Sequence, residues 1–204
     1  GTHVSGIVGA RGNNGIGITG VNWNTRVLPL KVGSASGLSS SAIAEALRYV
    51  SLMKERGVSI VATNNSYGSS SENPVAHKEI KNHLSEGILF VAAAGNSGDD
   101  LDSSGASQFP AAFPEENVIS VANSTQGDQL ASGSNYGLIS VDIAAPGQEV
   151  YSTYNDGGYR FLTGTSMSSP MVAGAIALVA SHDPELSPVE IKQRLLDTAE
   201  RFDA

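Results

Sequence analysis

Ser166 is placed where a hydroxyl meets the positive end of a helix. It lies in Gly164-Thr165-Ser166-Met167-Ser168-Ser169-Pro170, and from Met171 to Ala180 every residue that follows is apolar or Gly. A helix of that composition has no water-facing side and is expected to run through a core. Its first N–H groups lack intrahelical partners and carry partial positive charge, so a serine there favours a developing anion beside it. Pro170 is compatible, because the first turn of a helix tolerates proline. Taken alone, the pattern is far more often that of an ordinary serine N-cap.

A second stretch is Val91-Ala92-Ala93-Ala94-Gly95-Asn96-Ser97-Gly98. By itself, Asn96 reads as a turn residue after a buried strand. Together the two stretches strongly resemble the subtilisin-like serine proteases (subtilases). The resemblance implies that Ser166 is the nucleophile and that Asn96 donates its amide to the oxyanion of a tetrahedral intermediate. The chemistry asks for those residue types, since acyl transfer needs an activated hydroxyl and donors aimed at the developing charge. Losing the asparagine donor costs about 10²–10³ in kcat, a value that comes from this family itself.

The first residues, Gly1-Thr2-His3-Val4-Ser5-Gly6, resemble the second through seventh positions of the family's H-G-T-H-V-[AS]-G block. The catalytic base would immediately precede Gly1, and His3 corresponds to the second histidine, which is not the base. The family's D-[ST]-G aspartate also lies upstream of that block. Asp102-Ser103-Ser104-Gly105 follows Asn96, against the order Asp…His…Ser, and reads as loop. His77 and His83 fall on different faces of an expected surface helix, and His182 follows the apolar helix. All three read as solvated. The expectation is one peptidase catalytic domain over residues 1–204, truncated at its N-terminal side. Without base and aspartate it should be inactive alone, losing about 10⁶ in kcat by the family's own measure. The alternatives are a non-catalytic, peptide-binding pseudoprotease and a calcium-stabilised structural domain.

The resemblance extends to binding residues. Ser66, Tyr67 and Gly68 are expected to pair with a substrate backbone, with Ser36, Gly37 and Leu38 on the opposite edge. Ala93, Ala94 and Gly95 would wall the pocket for the side chain before the scissile bond, leaving room for a large apolar group. Gly12-Asn13-Asn14-Gly15-Ile16-Gly17-Ile18 looks like the family's calcium loop, with the Asn14 side chain and the carbonyls of Gly12, Ile16 and Ile18 as ligands. A plain Gly-rich turn is the other reading. No cofactor is required for the chemistry. Gly15-Ile16-Gly17-Ile18-Thr19-Gly20 matches G-x-G-x-x-G but follows a helix and leads to a strand, which argues against dinucleotide binding. Ser51-Leu52-Met53-Lys54 matches S-x-x-K but sits mid-helix without its companion motifs.

These residues need a frame to position them. The 204 residues are 40% hydrophobic and 16% charged, and the 23 glycines point to tight turns. A net charge of −8 with no basic run makes nucleic acid and anionic membrane poor partners. The apolar run is too short to span a bilayer. Zero cysteines exclude disulfides and thiolate metal sites. The resemblance implies secretion, a monomer, polypeptide substrates and a pro-peptide. Strands are expected at 27–32, 58–63, 88–93, 117–122 and 141–144. Helices are expected over 4–10, continuing one begun at Gly1-Thr2-His3, at 39–56 with Ser39 to Ser41 offering caps, at 74–86, across the apolar run, and from 188 to about 200, capped by Ser187. Such alternation predicts an α/β fold, three-layer α/β/α with a mostly parallel sheet. In the family's sheet the aspartate-bearing strand lies between those matching 27–32 and 58–63, so its absence would leave two ladder edges unpaired.

Overall fold

The structure is a computed structural model that describes residues 1–103 and 105–201. In chain order its elements are α1 (Thr2–Gly9), β1 (Gly33–Ser34), β2 (Gly37–Leu38), α2 (Ser40–Glu55), β3 (Ala62–Asn65), α3 (Pro74–Ser85), β4 (Leu89–Ala93), β5 (Val118–Ser124), β6 (Ile143–Pro146), β7 (Val150–Thr153), β8 (Tyr159–Leu162), α4 (Thr165–His182) and α5 (Pro188–Thr198). Local chemistry sets several boundaries. The Ser39 hydroxyl accepts from Ala42 N–H at the start of α2, and the Asn73 amide oxygen accepts from Ala76 N–H at the start of α3. Ser187 and Glu190 form a reciprocal capping box on α5.

Strands β3, β4, β5 and β6 form a parallel sheet in that order. Alternation along the strands divides the core in two. Phe90, Ala92 and Val118 pack on one face with Ala44 and Leu47 of α2 and Ala76 and Ile80 of α3. Leu89, Val91, Ile119 and Val121 pack on the other with Val172, Ala173 and Ile176 of α4 and Ile191 of α5. The fold is therefore three-layer α/β/α with a parallel sheet. Two antiparallel hairpins, β1–β2 and β7–β8, were not expected from the sequence.

Other expectations are corrected. Residues 27–32 form no strand. Val27 and Leu28 are exposed, and the one backbone hydrogen bond of this segment among the described residues runs from Ser39 N–H to Val32 O. An apolar run becomes a buried strand only where a neighbour completes its ladder, and no strand among the described residues pairs with it. For the same reason β3 begins only at Ala62 and is an edge strand paired with β4 alone. Helix α4 is buried through Ile176 but then emerges, with Leu178 51% exposed. An open groove of about 680 Å³, lined in part by Ser59, Val61, Ala177 and Leu178, lies over that half. Pro170 is inside α4 rather than in its first turn, because the helix starts at Thr165. His83 is completely buried, its Nε2–H donating to the Leu47 carbonyl. His77 is also withdrawn from solvent, between the carboxylates of Glu72 and Glu115.

Candidate active site

The C-terminal ends of β3 and β4 and the N-terminus of α4 meet at one place. Ser66 directly follows β3, and Gly95-Asn96 closely follow β4. Ser166 is the second residue of α4, where its N–H has no intrahelical partner. The outer ends of parallel strands are where such sheets bind ligands.

Asn96 is oriented by the helix start. Its Oδ1 accepts from the Thr165 N–H at 2.8 Å and from the Thr165 hydroxyl at 3.2 Å. Of the two ends of an amide only the oxygen accepts, so the Nδ2 group is turned away from the Thr165 N–H. It has no hydrogen-bond partner among the described residues and remains an available donor. Gly164, at φ 145°, brings the chain into this contact, and a Cβ there would stand 3.1 Å from Asn96 Oδ1. The Thr165 hydroxyl also accepts from Gly95 N–H at 3.2 Å, fastening the β4 loop to α4.

Buried asparagines hold the loop in shape. Asn135 donates from Nδ2 to the Ala94 carbonyl and accepts from the N–H groups of Ser97 and Asp99 through Oδ1. Gly95 has φ 104°, and a Cβ on it would stand 2.4 Å from Asn135 Nδ2. On the β3 side, Asn64 Nδ2 donates to the Ser66 hydroxyl, and Asn64 Oδ1 accepts from Ser169. The Tyr67 hydroxyl donates to Asn65 Oδ1 at 2.9 Å. Burial pushes its pKa well above the ordinary tyrosine value, so it stays a donor. The supporting roles of Thr165, Asn135 and Asn64 were missed from sequence. Their signal is weak, since each is a small polar residue whose work depends on partners far along the chain.

Among the described residues Ser166 Oγ makes one hydrogen bond, a long 3.5 Å approach to the Ser66 carbonyl. None of the histidines hydrogen-bonds to it among the described residues. His3 is buried, with its Nε2–H lying between the carbonyls of Val150 and Arg160. Asp102 is in an exposed turn, where N–H groups of Ser140 and Ile139 donate to its carboxylate. The Ser140 side chain first, and then the N–H groups of Ile139 and Ser140, hold its pKa below the usual carboxylate value. Ser104 of that stretch lies outside the described residues.

Of the expected binding residues, Ser66, Gly95 and Asn96 join the Ser166 cluster, with Tyr67 and Gly68 continuing from Ser66. Ala93 and Ala94 are buried behind Gly95. Ser36, Gly37 and Leu38 form an exposed hairpin with no hydrogen bond to the cluster among the described residues. In the 12–18 loop, Asn14 Oδ1 accepts from Ile16 N–H at 3.0 Å. Among the described residues no group of three or more His, Asp or Glu side chains could hold a metal ion.

A parallel sheet between helical layers, with a serine at a helix start and an asparagine beyond a strand end bonded to that same helix start, defines an α/β protein whose strand ends and helix N-terminus meet in one cluster. The chain belongs to the subtilase family, whose profile matches residues 1–204. It is 40% identical over 200 residues to Subtilisin Savinase of Lederbergia lenta, covering 98% of this chain and 69% of that protein. It is also 40% identical over 200 residues to an alkaline protease of Alkalihalobacillus alcalophilus, covering 98% of this chain and 49% of that relative, so it spans about half of that relative's length. Among solved structures, S41 Psychrophilic Protease superposes with a TM-score of 0.87 at 33% identity, over 97% of this chain and 68% of that one.

Proposed function

We propose that this chain carries the nucleophile and oxyanion site of a serine endopeptidase. The observation that carries this reading is the lock of Asn96 Oδ1 onto Thr165 N–H, which leaves Nδ2 free beside Ser166. A scissile carbonyl placed between them would receive the Ser166 hydroxyl oxygen. Its oxygen would then gain negative charge where Asn96 Nδ2 and the Ser166 N–H can donate. The hydroxyl proton passes to the general base and on to the departing amine as the C–N bond breaks, and water hydrolyses the acyl-enzyme left on Ser166. The base and the aspartate that orients it come from polypeptide preceding Gly1, with the base directly adjoining it. The unpaired edge of β3 and the ladder-less segment 27–32 support that reading. The chain alone is inactive.

The substrate is a polypeptide whose backbone lies along 66–68, with the 36–38 hairpin on its other side. The protein is extracellular, folds with a pro-peptide and works as a monomer. A calcium ion in the 12–18 loop is part of the same reading. The donor set of Asn14 Oδ1 and the carbonyls of Gly12, Ile16 and Ile18 is all oxygen, as a hard cation requires. Positive φ at Asn13, Gly15 and Gly17 gives the tight turning that such a loop needs. The ion would stabilise the loop and take no part in the chemistry.

The test is fluorophosphonate labelling of the polypeptide extended upstream of Gly1, compared with residues 1–204 alone. Labelling of the extended form at Ser166, lost in Ser166→Ala and at least about 10³ slower in the short form, is expected. If a residue other than His precedes Gly1, or the extended form does not label, the peptide-binding pseudoprotease takes its place.

A further inference from the structure

Gln108 occupies the gap between the two glycines that flank the Ser166 cluster. Its position is fixed by backbone bonding. The next residue, Phe109, exchanges two hydrogen bonds with Ser69, both 2.8 Å, and the Gln108 carbonyl accepts from Ala112 N–H at 2.8 Å. This sets the side chain against Gly68 on one side and Gly95 on the other. A Cβ added to Gly68 would fall 1.8 Å from Gln108 Nε2, and one added to Gly95 would fall 3.1 Å from Gln108 Cδ. Both walls are bare backbone, so the carboxamide between them supplies the functional group there. It makes no hydrogen bond among the described residues and is only partly buried, which leaves its donors and acceptor for a ligand.

We infer that Gln108 is a specificity-determining residue, and that the side chain on the acyl side of the scissile bond must be compact, uncharged and hydrogen-bonding. The inference rests on the proposed peptidase reading for its substrate. With the scissile carbonyl between Ser166 and Asn96 and the peptide backbone along 66–68, the preceding side chain falls between 66–68 and 93–95. There it meets the Gln108 amide. A large aromatic side chain would compete for the volume that the amide fills. A side chain such as that of Asn, Gln or Thr would pair with it, and a polar group buried against the amide is rejected when it cannot pair. The small residues at 93–95 alone suggest a roomier, apolar pocket; Gln108 changes both its size and its polarity.

The test uses peptides that differ only in their C-terminal residue, Gln or Phe, bound to the upstream-extended protein and read by calorimetry. The same residues then serve on the acyl side of the bond in cleavage assays. Binding selectivity needs no turnover, so loss of labelling at Ser166 with selectivity intact would sink the peptidase reading and leave this one standing. The unmodified protein should favour Gln over Phe by about tenfold. Gln108→Gly should reverse that preference by admitting Phe. Gln108→Glu keeps the volume and removes the N–H donors, so it should still exclude Phe and weaken Gln by about tenfold. A preference for Phe in the unmodified protein, or a Gln/Phe ratio within twofold across all three forms, overturns the inference.

Discussion

The carbonyl of Ser166 accepts a hydrogen bond from the hydroxyl of Ser66 at 3.0 Å, across a hundred residues of chain. Pro170 is the reason that the carbonyl is free. It stands four positions on within α4 and has no N–H to give, so the usual helical bond to Ser166 is missing. The residue after β3 therefore fills a vacancy that a proline creates behind the nucleophile.

Ser66→Ala should cost about 1 kcal/mol of stability by leaving that carbonyl without its partner. In a Pro170→Ala background the backbone N–H returns, so the same substitution should cost measurably less. A double-mutant cycle by urea denaturation checks this, and strict additivity would contradict it.

Thr165 fastens Asn96 and Gly95 to the helix start through one hydroxyl. Thr165→Val keeps the shape and the backbone N–H but removes both hydroxyl bonds. In the upstream-extended protein, kcat should fall about tenfold with KM nearly unchanged, because the oxyanion donor loses its second restraint. An equal rise in KM with kcat intact would show that Thr165 serves binding instead.

Gly95→Ala should destabilise the chain by about 1–3 kcal/mol, since φ 104° strains any L side chain and the new methyl meets Asn135. The same variant should slow fluorophosphonate labelling, because Gly95 adjoins Asn96. Denaturation midpoints and labelling rates read the two effects separately.

His83 makes stability depend on pH. Burial lowers its pKa, opposed by the Leu47 carbonyl and the charges of Glu86 and Glu79. The unfolded chain protonates this ring near pH 6.5, and the folded chain only at lower pH. Below about 6.5 the unfolded state thus takes up the proton first. His83's contribution is complete above that pH and declines as the pH falls toward the folded value. The urea midpoint should drop between about pH 7.5 and 5.5. His83→Gln should flatten part of that slope; an unchanged slope would refute the assignment.

Calcium should raise the melting temperature of the protein, and a chelator should lower it. Asn14→Ala should abolish most of that shift, since it removes the one side-chain ligand proposed. Equal shifts in both forms would exclude the 12–18 loop as the site.

Where a few neighbouring residues decide the structure, the sequence was readable. Ser187 caps its helix, the cap of α2 is one of the three serines at 39–41, and the all-apolar run of β4 lies inside the sheet. The serine at the head of α4 and the asparagine beyond β4 stand out in the sequence because their motifs are local. What escaped depends on remote partners. Residues 27–32 have strand composition without a ladder neighbour, and His83 looks solvated on its helix until Leu47 covers it. Gln108 and Thr165 are ordinary residues until the fold brings glycines or Asn96 against them.

The bare edge of β3 has one more consequence. Its outward N–H and C=O groups, unpaired among the described residues, form a template for strand addition by another copy. Handled alone at high concentration, residues 1–204 should therefore precipitate through intermolecular β-pairing, and short edge-pairing peptides should keep them in solution.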